Sequence, residues 1–135
     1  MYKNILVPIS FDNDRDAAGA IDVAKVLADA DGTITLLHVI ESAPSFVLNS
    51  LPSGYLIKRR QEAQIELDAM AADLPNGASI VTNGHSGRTV LDWAADKGVD
   101  CIVIASHRPG LEDLLLGSTA MQVVRHANCA VHVVR

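Results

Sequence analysis

The chain has 135 residues, enough for one sizeable hydrophobic core and too few for two. Apolar residues make up 49% and charged residues 20%, which excludes a disordered or collagen-like protein, and aromatics at 4% leave the core to aliphatic side chains. A formal net charge of −5 argues against a protein devoted to gripping nucleic acid, which needs a basic face to displace counterions, but it is compatible with a local phosphate site.

Asn4 to Ile9 is a short aliphatic run broken by Pro8, the pattern of a buried parallel strand that ends where the chain turns. This opening run is too brief for a signal peptide, and no later apolar stretch reaches membrane-spanning length, so a cytoplasmic protein without membrane insertion is expected. After an Asn13-Asp14 cap signal, Ala17, Ala20, Ile21, Ala24, Leu27 and Ala28 recur at helical spacing until Gly32 stops the pattern. Thr33 to Ile40 (TITLLHVI) is β-branched and apolar, a second strand. Glu41 to Tyr55 reads as irregular, with Pro44, Pro52, Gly54 and several serines, either a binding or contact loop or a plain insertion.

Ala63, Leu67, Met70, Ala71 and Leu74 mark a second helix ended by Pro75 and Gly77, and Ala78 to Thr82 a third, weaker strand. Ser86 is placed to cap a third helix carrying Val90, Leu91 and Ala94, with Gly98 as its stop; Trp93 on that helix reads as packing. Asp100 to Ala105 (DCIVIA) reads as the most clearly buried strand in the chain, the fourth. A loop from Ser106 to about Leu116 leads to Gly117-Ser118-Thr119, which opens a last helix with Ala120, Val123, Val124 and Ala127 on one face, and Ala130 to Val134 is a fifth strand. Cys101 and Cys129 lie in apolar runs without CxxC spacing, as buried thiols of a reducing compartment do.

Strands alternating with helices predict a single α/β domain over residues 1–135: a doubly wound, five-stranded parallel sheet in the order 3-2-1-4-5 with helices on both faces. In such a sheet the ligand crevice lies beyond the carboxyl ends of the strands, where successive connections diverge to opposite faces. The segments meeting there are Ile9-Ser10-Phe11-Asp12 and Ala105-Ser106-His107-Arg108. Gly117-Ser118-Thr119 sits at a helix start, where unpaired N–H groups and the helix dipole favour an anion; taken alone it reads first as a cap, and its position opposite the crevice is what points to phosphate. Neither GxxxxGK[ST] nor GxGxxG occurs, so a P-loop NTPase and a standard dinucleotide fingerprint are unsupported. The histidines are not at metal-ligand spacing, and no metal site is assigned in the protein itself. A response-regulator receiver would need a phosphoacceptor aspartate after the third strand and a lysine after the fifth, which Asn83-Gly84-His85 and Arg135 do not supply.

Cys101-Ile102-Val103-Ile104-Ala105-Ser106-His107-Arg108-Pro109, then Leu114-Leu115-Leu116-Gly117-Ser118-Thr119, Val124-Arg125-His126-Ala127 and the closing Val131-His132-Val133-Val134-Arg135 together resemble the universal stress protein family along nearly the whole chain. The resemblance implies an adenine nucleotide alpha hydrolase-like fold and a site for ATP, with or without Mg²⁺. It implies that Pro8, Ile9 and Ser10 lie beside the adenosine, that the Val39 backbone meets adenine, that Ala105, Ser106, His107 and Arg108 line the ribose and phosphate path, and that Gly117, Ser118 and Thr119 hold the phosphates. Nucleotide-binding relatives carry a G-x-x-G-x9-G-[ST] loop; here Ala105 and Arg108 occupy the first two glycine positions and the loop is one residue shorter, an ASHRP version found in a branch of the family. Many relatives have an aspartate at Ser10. Asp12, two residues on, is a substitute if it is not simply a cap, and Arg108 offers a positive charge to a polyphosphate if it is not simply an exposed loop charge. His107 has its own loop as a second partner.

The resulting expectation is a nucleotide-responsive regulatory protein with an unidentified protein partner, lacking the positioned base and metal ligands of fast phosphoryl transfer. The rivals are a slow ATPase or autokinase, modified at Ser118 or Thr119, and a scaffold without nucleotide. The apolar final strand at a sheet edge predicts a homo-oligomer, a dimer or tetramer, through Ala130 to Val134.

Overall fold

The structure is a computed structural model and describes residues 1–11, 16–106 and 117–135. In chain order the described elements are β1 (Tyr2–Pro8), α1 (Ala17–Leu27), β2 (Ala28–Ile40), α2 (Ser45–Ser50), α3 (Tyr55–Ala71), β3 (Gly77–Asn83), α4 (Ser86–Asp96), β4 (Cys101–Ala105), α5 (Ser118–His126) and β5 (Ala130–Val134). The strands form one sheet in the order β3-β2-β1-β4-β5 with every pairing parallel, as the alternation of elements predicts.

Strand residues alternate between two packed layers because successive side chains leave opposite faces of a sheet. Ile5, Val7, Ile34, Leu36, Cys101 and Val103 point to the layer that holds α1 and α3, where Ala20, Ala24 and Leu67 meet them. Leu6, Leu37, Ile102 and Ile104 point to the layer of α4 and α5, where Val90, Ala94, Ala120 and Val123 complete the packing. Every residue of β4 is buried, as the continuous apolar run requires of a central strand covered on both sides.

The ends of the elements differ from the sequence reading in instructive places. Helix α1 is capped by Asp16, whose carboxylate accepts from the Gly19 N–H at 2.9 Å; the anticipated cap pair Asn13-Asp14 lies outside the described residues. It stops at Leu27 rather than at Gly32, because β2 already begins at Ala28. Gly32 instead lies buried inside β2, where a Cβ would stand 3.0 Å from the Tyr2 carbonyl and 3.1 Å from that of Asp29. The stretch expected to be irregular contains α2, and α3 starts at Tyr55, well before its first buried residue, Ala63. Ser86 is not a cap: His85 holds that position, while the Ser86 N–H and hydroxyl donate to Glu41 Oε1 at 3.3 and 2.8 Å. Gly98, at φ +67°, does end α4.

Asp100 ties β1 to the start of β4, its carboxylate accepting from the Lys3 and Asn4 N–H groups at 2.9 and 3.0 Å while its own N–H donates to the Asn4 carbonyl. Backbone pairing between β1 and β4 is otherwise brief, matching Ile5 and Leu6 with Cys101 and Ile102. Among the described residues, no helix is long and apolar enough to cross a membrane.

Both cysteines are free; Cys101 is buried, and Cys129 is half-buried, less enclosed than the sequence suggested. Burial pushes the Cys101 thiol up to about 11, and burial also raises that of Cys129. Since the thiolate is the nucleophile, a disulfide reagent at mildly alkaline pH is expected to modify Cys129 slowly and Cys101 only after unfolding in concentrated urea. Rapid labelling of both thiols in the folded protein would contradict this packing.

Candidate nucleotide cleft

After Leu6 the two central strands part, and the connections that follow them run to opposite layers. A cleft of about 790 Å³ opens at their carboxyl ends. Its floor is made by the ends of β1, β2 and β4: Pro8, Leu37, His38, Val39, Ile40, Ile104 and Ala105. Proline at the end of β1 offers no N–H to the neighbouring strands, which suits a place where pairing stops. The next residue, Ile9, returns to β2 by donating its N–H to the Leu37 carbonyl at 2.8 Å.

Seven of the residues singled out from the sequence line this one cleft: Pro8, Ile9, Ser10, Val39, Ala105, Ser118 and Thr119. Ser106 does not. It is buried, and its N–H and hydroxyl donate to the Val134 carbonyl at 2.9 and 3.4 Å, which fastens the end of β4 to β5. Gly117 stands just outside the cleft wall as the N-cap residue of α5. Asp12, His107 and Arg108 lie outside the described residues.

The start of α5 is informative. Gly117 has φ +85° and ψ 153°, a region open in practice only to glycine, and among the described residues no side chain caps the helix. Ser118 and Thr119 are therefore not caps, since they sit within the first turn, and both residues line the cleft. A helix start with its dipole toward a cleft favours a bound anion.

The opposite wall was not anticipated. Helix α3 contributes Tyr55, Lys58, Arg59, Glu62, Ala63 and Glu66, and the 41–55 connection contributes Glu41. Recurrence at Tyr55, Arg59, Glu62, Ala63 and Glu66 places these on one helical face, a signal present in the sequence but unusable until the helix is known to begin at Tyr55. Lys58 and Arg59 thus bring cations to the cleft, with Lys58 Nζ 3.9 Å from Glu62 Oε1 on the surface. The adjacent Arg60 is committed elsewhere, donating to Asn83 Oδ1 at 2.6 Å and the Val81 carbonyl at 3.0 Å, which fixes α3 against β3. Farther along α3, donation from Ser79 and from Gln64 holds the Asp68 carboxyl below the usual carboxylate range. Among the described residues, no group of three or more His, Cys, Asp or Glu side chains is arranged to hold a metal ion.

With this geometry in place, comparison with known proteins is direct. The sequence profile of the universal stress protein family matches residues 1–135. The chain belongs to this family. Universal stress protein G of Escherichia coli O157:H7 is 33% identical over 144 residues, covering all of both chains. Among solved structures, hypothetical protein MJ0577 superposes with a TM-score of 0.81 at 26% identity over 99% of this chain and 96% of its own. A family protein of Arabidopsis thaliana, solved with AMP bound, superposes at 0.69 and 16% identity over 98% and 90% of the two chains. A universal stress protein in complex with cAMP has the same fold at a TM-score of 0.65, 17% identity and 99% and 97% coverage.

A side chain at position 117 would strain the entry to α5. Gly117→Ala is expected to lower stability by roughly 1–3 kcal/mol, read as a reduced urea midpoint; an unchanged midpoint would mean that α5 does not begin in this conformation.

Proposed function

We propose that this universal stress protein is a nucleotide-responsive regulatory protein of the cytoplasm whose ligand is an adenine nucleotide, ATP in particular. One observation carries the reading: residues from the ends of β1, β2 and β4 and from the first turn of α5 converge on a single cleft at the point where the crossovers change face. In this assignment the nucleoside lies over Pro8, Ile9, Ser10 and Val39. The phosphates run past Ala105 toward Gly117, Ser118 and Thr119, where the helix dipole and hydroxyl donors oppose their charge. Lys58 and Arg59 become candidate counter-charges that a protein of net charge −5 would need. Family members that hold AMP or cAMP support the choice of ligand class.

Regulation does not require turnover. The described residues offer no acidic cluster to seat Mg²⁺, so any metal in this reading arrives with the nucleotide. Hydroxyls at Ser118 and Thr119 on the cleft wall favour a second reading, slow hydrolysis or self-phosphorylation, which radiolabel transferred to wild type but not to Ser118→Ala would support.

Calorimetry with ATP should give saturable binding to the purified protein, and Ser118→Ala should weaken it about tenfold, the worth of a hydrogen bond to a charged group at the low end. Absence of binding by ATP, ADP and AMP alike would leave the family fold without this function.

Assembly belongs to the same proposal. Strand β5 is an edge of the sheet, bonded on one side to β4, and Ala130 and His132 are exposed. Antiparallel pairing of Ala130 to Val134 with a second copy would satisfy that edge. Light scattering at micromolar concentration should return a dimer or tetramer; a stable monomer would refute the pairing.

A further inference from the structure

His38 occupies the floor of the cleft, and its surroundings define which ring nitrogen is left for a ligand. Its Nδ1 lies 2.8 Å from the Ile9 carbonyl oxygen. A carbonyl can only accept, so Nδ1 carries the proton and, in the neutral ring, Nε2 presents a lone pair. Among the described residues Nε2 has no hydrogen-bond partner, although the ring is half-buried.

The ring is also held in plane. Phe11 packs against it with centroids 4.4 Å apart and the planes inclined by 43°. Ile9, the residue that fixes Nδ1, is anchored by two consecutive residues of β2: its N–H donates to the Leu37 carbonyl and its carbonyl accepts from His38. The β1 turn and the β2 strand thus form one rigid corner of the cleft wall, with Ile9, Phe11, His38 and Val39 all on it. An acceptor pre-organised in this way costs little to use and discriminates by the polarity of what faces it.

We infer that His38 is a specificity-determining residue of the cleft, its Nε2 accepting a hydrogen bond from the exocyclic 6-amino group of a purine. The inference rests on the nucleotide reading above and adds a choice of base to it. A 6-oxo purine presents an acceptor at that position. Two lone pairs would then face each other in a partly desolvated corner, so the oxo base loses the hydrogen bond and leaves a polar group unpaired.

The test is a ratio of affinities measured by calorimetry for AMP and IMP, which differ in having an amino or an oxo group at position 6. Wild-type protein should bind AMP about tenfold more tightly than IMP. His38→Phe retains an aromatic ring beside Phe11 and removes the acceptor; its ratio should fall to near one through loss of AMP affinity. His38→Gln supplies a carbonyl acceptor on a side chain of similar reach and should recover several-fold preference for AMP. A merely structural role for the ring would lower both affinities together and leave the ratio unchanged, which overturns the inference. Equal affinity of the wild type for AMP and IMP overturns it without any variant. If neither AMP nor ATP binds, the nucleotide reading fails and this inference with it, an outcome distinct from binding without base preference.

Discussion

The structure depends on one constraint: a parallel sheet buried on both faces must return each strand by a crossover, and here the crossovers change face between the two halves of the chain. Helices α1 and α3 cover one layer, α4 and α5 the other. At the junction β1 and β4 share only a short pairing and then separate. Beyond that point the connections leave for opposite layers, and the separation opens as a cleft at the strand ends. The same geometry that satisfies the backbone therefore supplies the place where a ligand can enter.

The cleft has walls of different character. On the α5 side the features suited to an anion are a glycine conformation, a helix start and two hydroxyls. The α3 side mixes Lys58 and Arg59 with Glu62 and Glu66, so its cations are partly balanced locally. Between them, two hydrogen bonds tie Ile9, the residue after β1, to Leu37 and His38 of β2.

Hydrogen-bonding side chains elsewhere spend themselves on the scaffold. Asp100 clamps the first residues of β1, Arg60 locks α3 to β3, and Ser106 joins β4 to β5. Asp100 and Ser106 act at strand ends, where ladder hydrogen bonds run out, and Arg60 reaches the edge strand β3, whose backbone groups also need partners.

The amino-acid sequence by itself determined the alternation of the five strands with the helices that connect them and the sheet topology. Those follow from apolar runs such as Cys101–Ala105 and from helical recurrence at Ala20, Ile21 and Ala24, signals that act over a few residues. Tertiary structure alone decided the start of α3 at Tyr55, the contribution of Lys58 and Arg59 to the cleft and the inward turn of Ser106. It also decided the polarity of His38, which depends on a carbonyl 29 residues away in the chain. These are consequences of packing between distant segments: the first half of α3 has little buried apolar surface of its own, and the roles of Ser106 and His38 depend on which backbone oxygen the fold brings near.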